Sequence, residues 1–352
     1  MIPLKPNVFL AKYLPHSPVR RFYLYVVGKK RKEARKVLID FMGEGLSRRE
    51  SRYHLRKMME AHVRYAWQFD EYFIYAYNDI NSKERREIVP EEEKDYFCKN
   101  VNPRVYNDLF KDKGDTYRHF APYFKREVCV VKEGGDTEDT IRSFIERHDE
   151  FFIKPINMSV GTGIQKMKAC GYETLKQILK DYEEGAVMEG LIQQNEAMAA
   201  VNPSSANTVR VTTFIADGKV HILHPFALFG RKGHVVNNGS QGGIICKLDA
   251  ERGVVVACCD KHGRPFEVHP DSGISLIGFQ VPHWDEAKSL AVELAGVLPQ
   301  CRYVGWDLAY TDGGWVMVEG NSRGQFVGFQ APTRKGIRSE LLALDPHCLN
   351  LD

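Results

Sequence analysis

Three oxygen-bearing side chains towards the C-terminal end carry the clearest chemical signal. Asp307 lies in Gly305-Trp306-Asp307-Leu308-Ala309-Tyr310, and Glu319 and Asn321 lie in Val316-Met317-Val318-Glu319-Gly320-Asn321. The intervening Thr311-Asp312-Gly313-Gly314 reads as the turn of a β-hairpin. If that turn is the three residues Asp312-Gly313-Gly314, Asp307 stands opposite Glu319, and Asn321, two residues on, shares the face. Their neighbours Trp306, Leu308, Val316 and Val318 are apolar. Two carboxylates and an amide on an apolar strand pair are unfavourable to bury without a cation. Hard oxygen donors of this kind suit Mg²⁺, which usually also takes phosphate oxygens from a substrate. A satisfied polar edge is the plain alternative.

Four further segments fit an anionic ligand. Phe152-Ile153-Lys154-Pro155 is a strand ending in a lysine, and Asn157 to Ile164 after it is small and flexible. Lys154 supplies a point charge for phosphate, and Gly161 and Gly163 let main-chain N–H groups approach an anion. Val187 to Ile192 is an apolar strand running into a polar stretch with Glu196. Its backbone can pair with a planar base edge, and Glu196 can accept from ribose hydroxyls. In Asn207-Thr208-Val209-Arg210-Val211-Thr212 the polar Thr208, Arg210 and Thr212 share one face, and an arginine there suits phosphate or carboxylate. Arg231-Lys232 and residues 237–243, with Asn238 and Gly242, form a basic, amide-rich loop of the kind that closes over substrates. Read singly, these segments are also a turn, a connecting strand, an exposed sheet face and a mobile loop.

Positioning these groups takes short strands, hairpins and helices. Strands are expected over residues 129–132, 151–154, 186–191, 207–216, 219–229, 303–310 and 315–319. Helices are expected over 31–41, 48–73, 137–147, 174–182 and 283–298. Asp217-Gly218 is a strong two-residue hairpin signal. Antiparallel hairpins alternating with helices imply an α+β body, not a parallel doubly wound sheet. No Gly-x-Gly-x-x-Gly or Walker-type glycine–lysine motif occurs, which disfavours Rossmann and P-loop nucleotide sites.

With 352 residues the chain is long for a single small core, and 43% hydrophobic with 27% charged residues is a globular balance. The apolar run 22–27 is far short of the roughly 20 residues that span a bilayer. Eight cysteines without a Cys-x-x-Cys pair argue against a zinc site and a disulfide scaffold, and point to a reducing, cytoplasmic compartment with no secretory leader. The net charge of +3 is uneven: residues 1–80 hold 16 Lys and Arg against 8 Asp and Glu. Basic residues from Arg20 to Lys36 flank Phe22-Tyr23-Leu24-Tyr25, a pattern that suits peripheral contact with a membrane surface or an acidic polymer. A solvated helical face is the alternative. No nucleic-acid motif accompanies them.

The order of these pieces resembles the ATP-grasp superfamily, above all its sugar-transfer associated branch, found beside polysaccharide and cell-envelope genes. The resemblance spans about residues 100–335 and is most specific at 207–212, at Trp306-Asp307 and at Glu319-Gly320-Asn321. It implies two α+β lobes clasping ATP: a basic helical region over 1–100, a first lobe over 101–190, and a second over 191–352 with the metal site and a C-terminal helix. It implies Lys113 and Lys154 as nucleotide lysines, residues 159–163 (with Ser159, Gly161 and Gly163) as the loop over the phosphates, Glu189 and Leu191 at the adenine linker and Glu196 at the ribose. Arg210 would face phosphate, and Asp307, Glu319 and Asn321 would hold Mg²⁺. Many relatives carry an arginine two residues before the first metal aspartate. Gly305 stands there in this chain, leaving Arg323, Arg231 or Lys232 to supply that cation. The implied reaction is ligation of a carboxylate to an amine through an acyl phosphate, on small-molecule or glycan-linked substrates. The alternatives are a kinase on the same fold and a non-catalytic scaffold for glycan assembly.

Overall fold

A computed structural model of the chain describes residues 17–26, 29–158, 162–233 and 242–349. The chain divides into two compact units: Met1–Asn100 with His262–Pro265 and Gln325–Asp352, and Val101–Lys261 with Phe266–Gly324.

The first unit is helical. Pro18–Val26, Lys29–Met42 and Arg48–Tyr65 pack on one another. The third starts at a capping box, in which Ser47 accepts from the Glu50 N–H and Glu50 accepts from the Ser47 N–H. Helix-forming residues alone extend this element to Phe73, but it stops at Tyr65. Ala66 takes a left-handed φ of 62°. The chain then folds back so that Trp67 meets Tyr75 and Tyr77 edge-on in the core, each ring centroid 5.6 Å from that of Trp67. Burial of three large rings outweighs local helix propensity here. Gln330, fully buried, ties the C-terminal segment in: its side chain accepts from the Val89 N–H and donates to the Val89 carbonyl, both at 2.9 Å.

The second unit holds two antiparallel sheets. The smaller runs β1(Val128–Val131), β4(Ala186–Gly190), β2(Glu150–Pro155), β3(Gln165–Lys168) in spatial order. Helices Glu138–Arg147 and Tyr172–Leu179 bury Ile141, Phe144 and Leu175 against Phe151, Ile153 and Met188 on it. The larger runs β10(Gly314–Asn321), β9(Tyr303–Thr311), β5(Thr208–Ala216), β6(Lys219–Phe229), β7(Ile244–Leu248), β8(Val255–Cys259). Val209, Val211, Val304, Trp306, Leu308, Trp315 and Met317 from this sheet join Phe120 of helix Lys113–Phe124 and Ala291 of helix Trp284–Val297 in one core. The β5–β6 turn is Asp217-Gly218 with φ of 48° and 72°, the left-handed pair that matches strand twist. Among the described residues, no helix is long and apolar enough to cross a membrane.

The β9–β10 hairpin departs from the expected register in two places that cancel. Its turn is two residues, since Gly314 pairs with Thr311 and Met317 with Leu308. Continued regularly, that ladder sets Val318 against Asp307. Instead the register shifts between Met317 and Glu319, so that Val318 and Glu319 together oppose Asp307. The bulge takes Glu319 off the face that Trp315 and Met317 turn to the core. It also sets Gly320 opposite Trp306. A Cβ there would lie 2.6 Å from Phe110 Cε1 and 3.0 Å from Trp306 Cζ3. Gly320→Ala is therefore expected to destabilise the protein by about 1–3 kcal/mol through overpacking. A thermal melt within a degree of wild type would show that the rings yield freely.

Candidate functional site

β5 and β9 pair so that Arg210 lies directly across from Asp307, and β10 adds Glu319 on Asp307's other side. Arg210 donates through Nε to Asp307 Oδ1 at 2.7 Å and through Nη2 to Oδ2, a two-pronged contact. The Arg210 Nη2 to Glu319 Oε1 distance is 4.0 Å. The Asn321 amide donates to Glu319 Oε1 at 3.0 Å and to Asp307 Oδ2 at 3.4 Å. The three side chains expected to share a face do so. Asp307 is buried, its side chain 7% exposed, whereas Glu319 is 50% exposed. Burial pushes the Asp307 carboxyl up to about 6 against the pull of Arg210, and the Glu319 carboxylate beside it pushes the same way.

Two carboxylates lie against the one guanidinium of Arg210, and their oxygens would suit a divalent cation. Among the described residues no group of three His, Cys, Asp or Glu side chains gathers as a metal cluster. The available donors are therefore the two carboxylates and Asn321, an incomplete set of the kind Mg²⁺ completes with water and phosphate. Asn321 would offer its oxygen by turning its amide, since the nitrogen now faces the carboxylates.

Gly305 makes room for Arg210. A Cβ at 305 would lie 3.2 Å from Arg210 Cδ and 3.5 Å from Thr212 Oγ1. A larger side chain at 305 and the observed Arg210 pose thus compete for one volume.

A second cluster centres on Glu189, in β4. Its carboxylate accepts from Lys154 Nζ at 2.9 Å and from Arg126 Nε and Nη2 at 3.1 and 2.7 Å. Glu189 and Arg126 are each 7% exposed. Burial alone raises the Glu189 carboxyl, but Lys154 and Arg126 outweigh it and hold it at about 2. Glu189, expected at the adenine linker, is therefore an ionised partner of two cations on β4. Leu191 follows β4, and Glu196 opens the short helix Glu196–Ala199, exposed.

Lys113 starts the helix Lys113–Phe124, whose N-cap Asp112 accepts from the Asp115 N–H. Its ammonium donates to the carbonyls of Pro155, at 2.9 Å, and Met158. Burial lowers its pKa, Lys154 lowers it further, and Glu319 and Glu189 act the other way. Lys154 likewise acts on Glu319. Residues from four separate stretches, at 113, 154, 189 and 319, therefore sit within electrostatic reach of one another.

Residues 92–345 match the sequence profile of the sugar-transfer associated ATP-grasp family. The chain belongs to that family. The α+β, ATP-grasp fold expected from the sequence is thereby established. No curated protein matches the sequence. Solved structures similar to it include the ATP-grasp ligase PsnB with a minimal precursor, at 14% identity over 71% of this chain and 63% of that one, TM-score 0.43. D-alanyl-alanine synthetase A of Vibrio cholerae matches at 10% identity over 68% and 64%, TM-score 0.40. The VanG D-Ala:D-Ser ligase of Enterococcus faecalis matches at 13% over 67% and 62%, TM-score 0.42. This chain thus spans under two thirds of each.

The remaining expected residues of this ATP-grasp chain fall elsewhere. Arg231 forms a two-pronged ion pair with Asp271 at 2.6 and 3.0 Å, and the Lys232 N–H donates to the same carboxylate. Asp271 anchors the start of that loop, a partnership nothing in the local sequence marks. The Lys232 and Arg323 side chains are exposed, Arg323 two residues beyond Asn321. Gly242 takes a φ of 90° near Arg231. Gly163, at φ 73°, packs beside Pro155, where a Cβ would lie 2.7 Å from its ring. Ser159, Gly161 and Asn238 lie outside the described residues. Arg126 is the main residue sequence reasoning misses. It sits in Lys125-Arg126-Glu127, which reads as a charged surface turn.

Proposed function

We propose that this ATP-grasp chain is a Mg·ATP-dependent ligase that joins a carboxylate to an amine. The observation that carries the reading is the gathering of Lys113, Lys154, Arg210, Asp307 and Glu319, from five elements, into one charged cluster within the second unit. Lys113 and Lys154 would take the phosphates. Lys113 exchanges main-chain carbonyls for phosphate oxygens, and Lys154 moves between Glu189 and the nucleotide. Asp307, Glu319 and Asn321 would hold Mg²⁺, which supplies charge neutralisation for the triphosphate. Arg210, fixed by Asp307, faces the charge that develops on the transferred phosphoryl group.

In the reaction a substrate carboxylate oxygen bonds to the γ-phosphorus and ADP leaves. The amine nitrogen then bonds to the acyl carbon, phosphate leaves, and the amine proton passes to solvent. Such chemistry needs no nucleophile from the protein, only orientation and charge compensation. The family's association with sugar transfer supports a substrate in polysaccharide or cell-envelope assembly, small or glycan-linked. Exposed Val19, Phe22, Ile39 and Met42 beside the lysines and arginines of the first two helices support peripheral contact with an anionic membrane.

The test is a screen of carboxylic acids against amines, scored by ADP release with mass spectrometry of the product. An amide product formed with stoichiometric ADP is expected. A stable phosphorylated product that needs no amine would replace the ligase with a kinase. Full biological function after loss of both Asp307 and Glu319 carboxylates would leave only a scaffold.

A further inference from the structure

We infer that Arg126 is a positioning residue for the proposed metal site: it holds the β10 bulge in the form that turns Glu319 towards Asp307. This rests on the Mg²⁺ reading above. β10 is the outer strand of its sheet, so among the described residues no strand lies beside its outward main-chain groups. Arg126 Nη1 donates to the Met317 carbonyl at 2.7 Å and Nη2 to the Val318 carbonyl at 3.3 Å. Consecutive carbonyls of a regular strand point to opposite sides. One guanidinium can bind both here because the register breaks between Met317 and Glu319. Arg126 therefore recognises the bulge itself, one peptide away from the Glu319 Cα.

The guanidinium is in turn fixed on three sides. Glu189 accepts from Nε and Nη2, the Phe124 carbonyl accepts from Nη1 at 3.3 Å, and the Phe124 ring lies under it at 4.7 Å. Glu189 also holds Lys154. One buried carboxylate thus sets both the lysine proposed for phosphate and, through Arg126, the strand that carries the metal carboxylate. Without the guanidinium the bulge is free to move along β10, and a shift by one residue returns Glu319 to the core-facing side.

The decisive variant is Arg126→Lys. Lysine keeps a positive charge beside Glu189 but cannot span two carbonyls and a carboxylate. The readouts are Mn²⁺ affinity in the presence of ADP, followed by electron paramagnetic resonance, and ADP affinity in excess chelator. The variant is expected to bind Mn²⁺ about 10–100-fold more weakly, the range for residues that orient metal ligands, with metal-free ADP binding at the wild-type level. Equal Mn²⁺ affinity in variant and wild type would overturn the positioning role, and so would a parallel loss of both affinities, which marks a general structural defect. Wild-type protein that takes up no Mn²⁺ would sink the metal reading first, and this inference with it. Should the lysine variant not fold, Arg126→Gln, which keeps a side-chain N–H donor for the carbonyls and leaves Glu189 paired with Lys154, is read by the same two measurements.

Discussion

Replacing Glu189 by leucine is expected to destabilise the protein by about 3–5 kcal/mol, because it strands two cations in a buried site. The mechanism is specific. Lys154 and Arg126 converge on one carboxylate, and Arg126 is 7% exposed, so water cannot take over. Against a typical total stability of about 5–15 kcal/mol, this is a large share. The same contact has a pH signature. The Glu189 carboxyl is held at about 2, below the ordinary range, by Lys154 and Arg126 acting against burial. A depressed carboxyl contributes stability that is fully present above its unfolded pKa and is lost as pH falls through the folded one. The contribution, on the order of 3 kcal/mol, should therefore be intact at pH 5 and fade between about pH 4.5 and 2. Urea melts of wild type and Glu189→Leu measure it: the gap in stability should narrow steadily below pH 4.5. A gap that stays constant down to pH 2.5, or is under 1 kcal/mol at neutral pH, would show that water or another carboxylate satisfies the two cations.

The second large effect is expected at Glu319. Glu319→Gln keeps the shape, removes one charge, and touches a side chain that is half exposed, so the fold should survive. Asp307 is a poorer choice, because it is also the two-pronged partner of Arg210 and its loss mixes two effects. A metal ligand of this kind is worth several kcal/mol of charge stabilisation, so Mg·ATP-dependent ADP release should fall by ~100-fold or more. Activity within a few-fold of wild type would discredit the metal assignment, whatever the acceptor.

Much of this was legible because the relevant signals are local. Asp217-Gly218 predicts a hairpin because Asp-Gly favours the type I′ turn, whose two left-handed residues match the strand twist, and the φ angles of 48° and 72° are that pair. Alternation of Thr208, Arg210 and Thr212 with Val209 and Val211 assigns the two faces of β5 correctly, since one face is core. The Asp307–Glu319 pair is legible for a less direct reason. The turn is one residue shorter than expected and the strand carries one residue more, and the two differences cancel. A signal for the bulge is present in retrospect: Trp315 and Met317 alternate onto the core, and strict continuation would bury Glu319 beside them.

Other features leave no mark in the residues themselves. β3 is Gln165-Lys166-Met167-Lys168, largely exposed, and becomes a strand by pairing with β2. Arg126 is adjacent to a helix end where Lys125 turns left-handed at φ 45°, and its burial depends on contacts 63 and 191 positions away. Long-range charge pairing of this kind has no period and no spacing to read.

The way the first hundred residues are completed bears on how the protein can be cut. Phe326 stacks edge-on against Phe97 at 5.3 Å, Gln330 is sealed onto the Val89 backbone, and Arg338 reaches Glu93. The tail therefore finishes a core begun at the other end of the polypeptide. A shortened protein starting at residue 101 would lose its leading helices and also leave its last 28 residues with unsheltered aromatic and amide groups, inviting aggregation. Trimming both ends together is the sounder route to isolating the second unit.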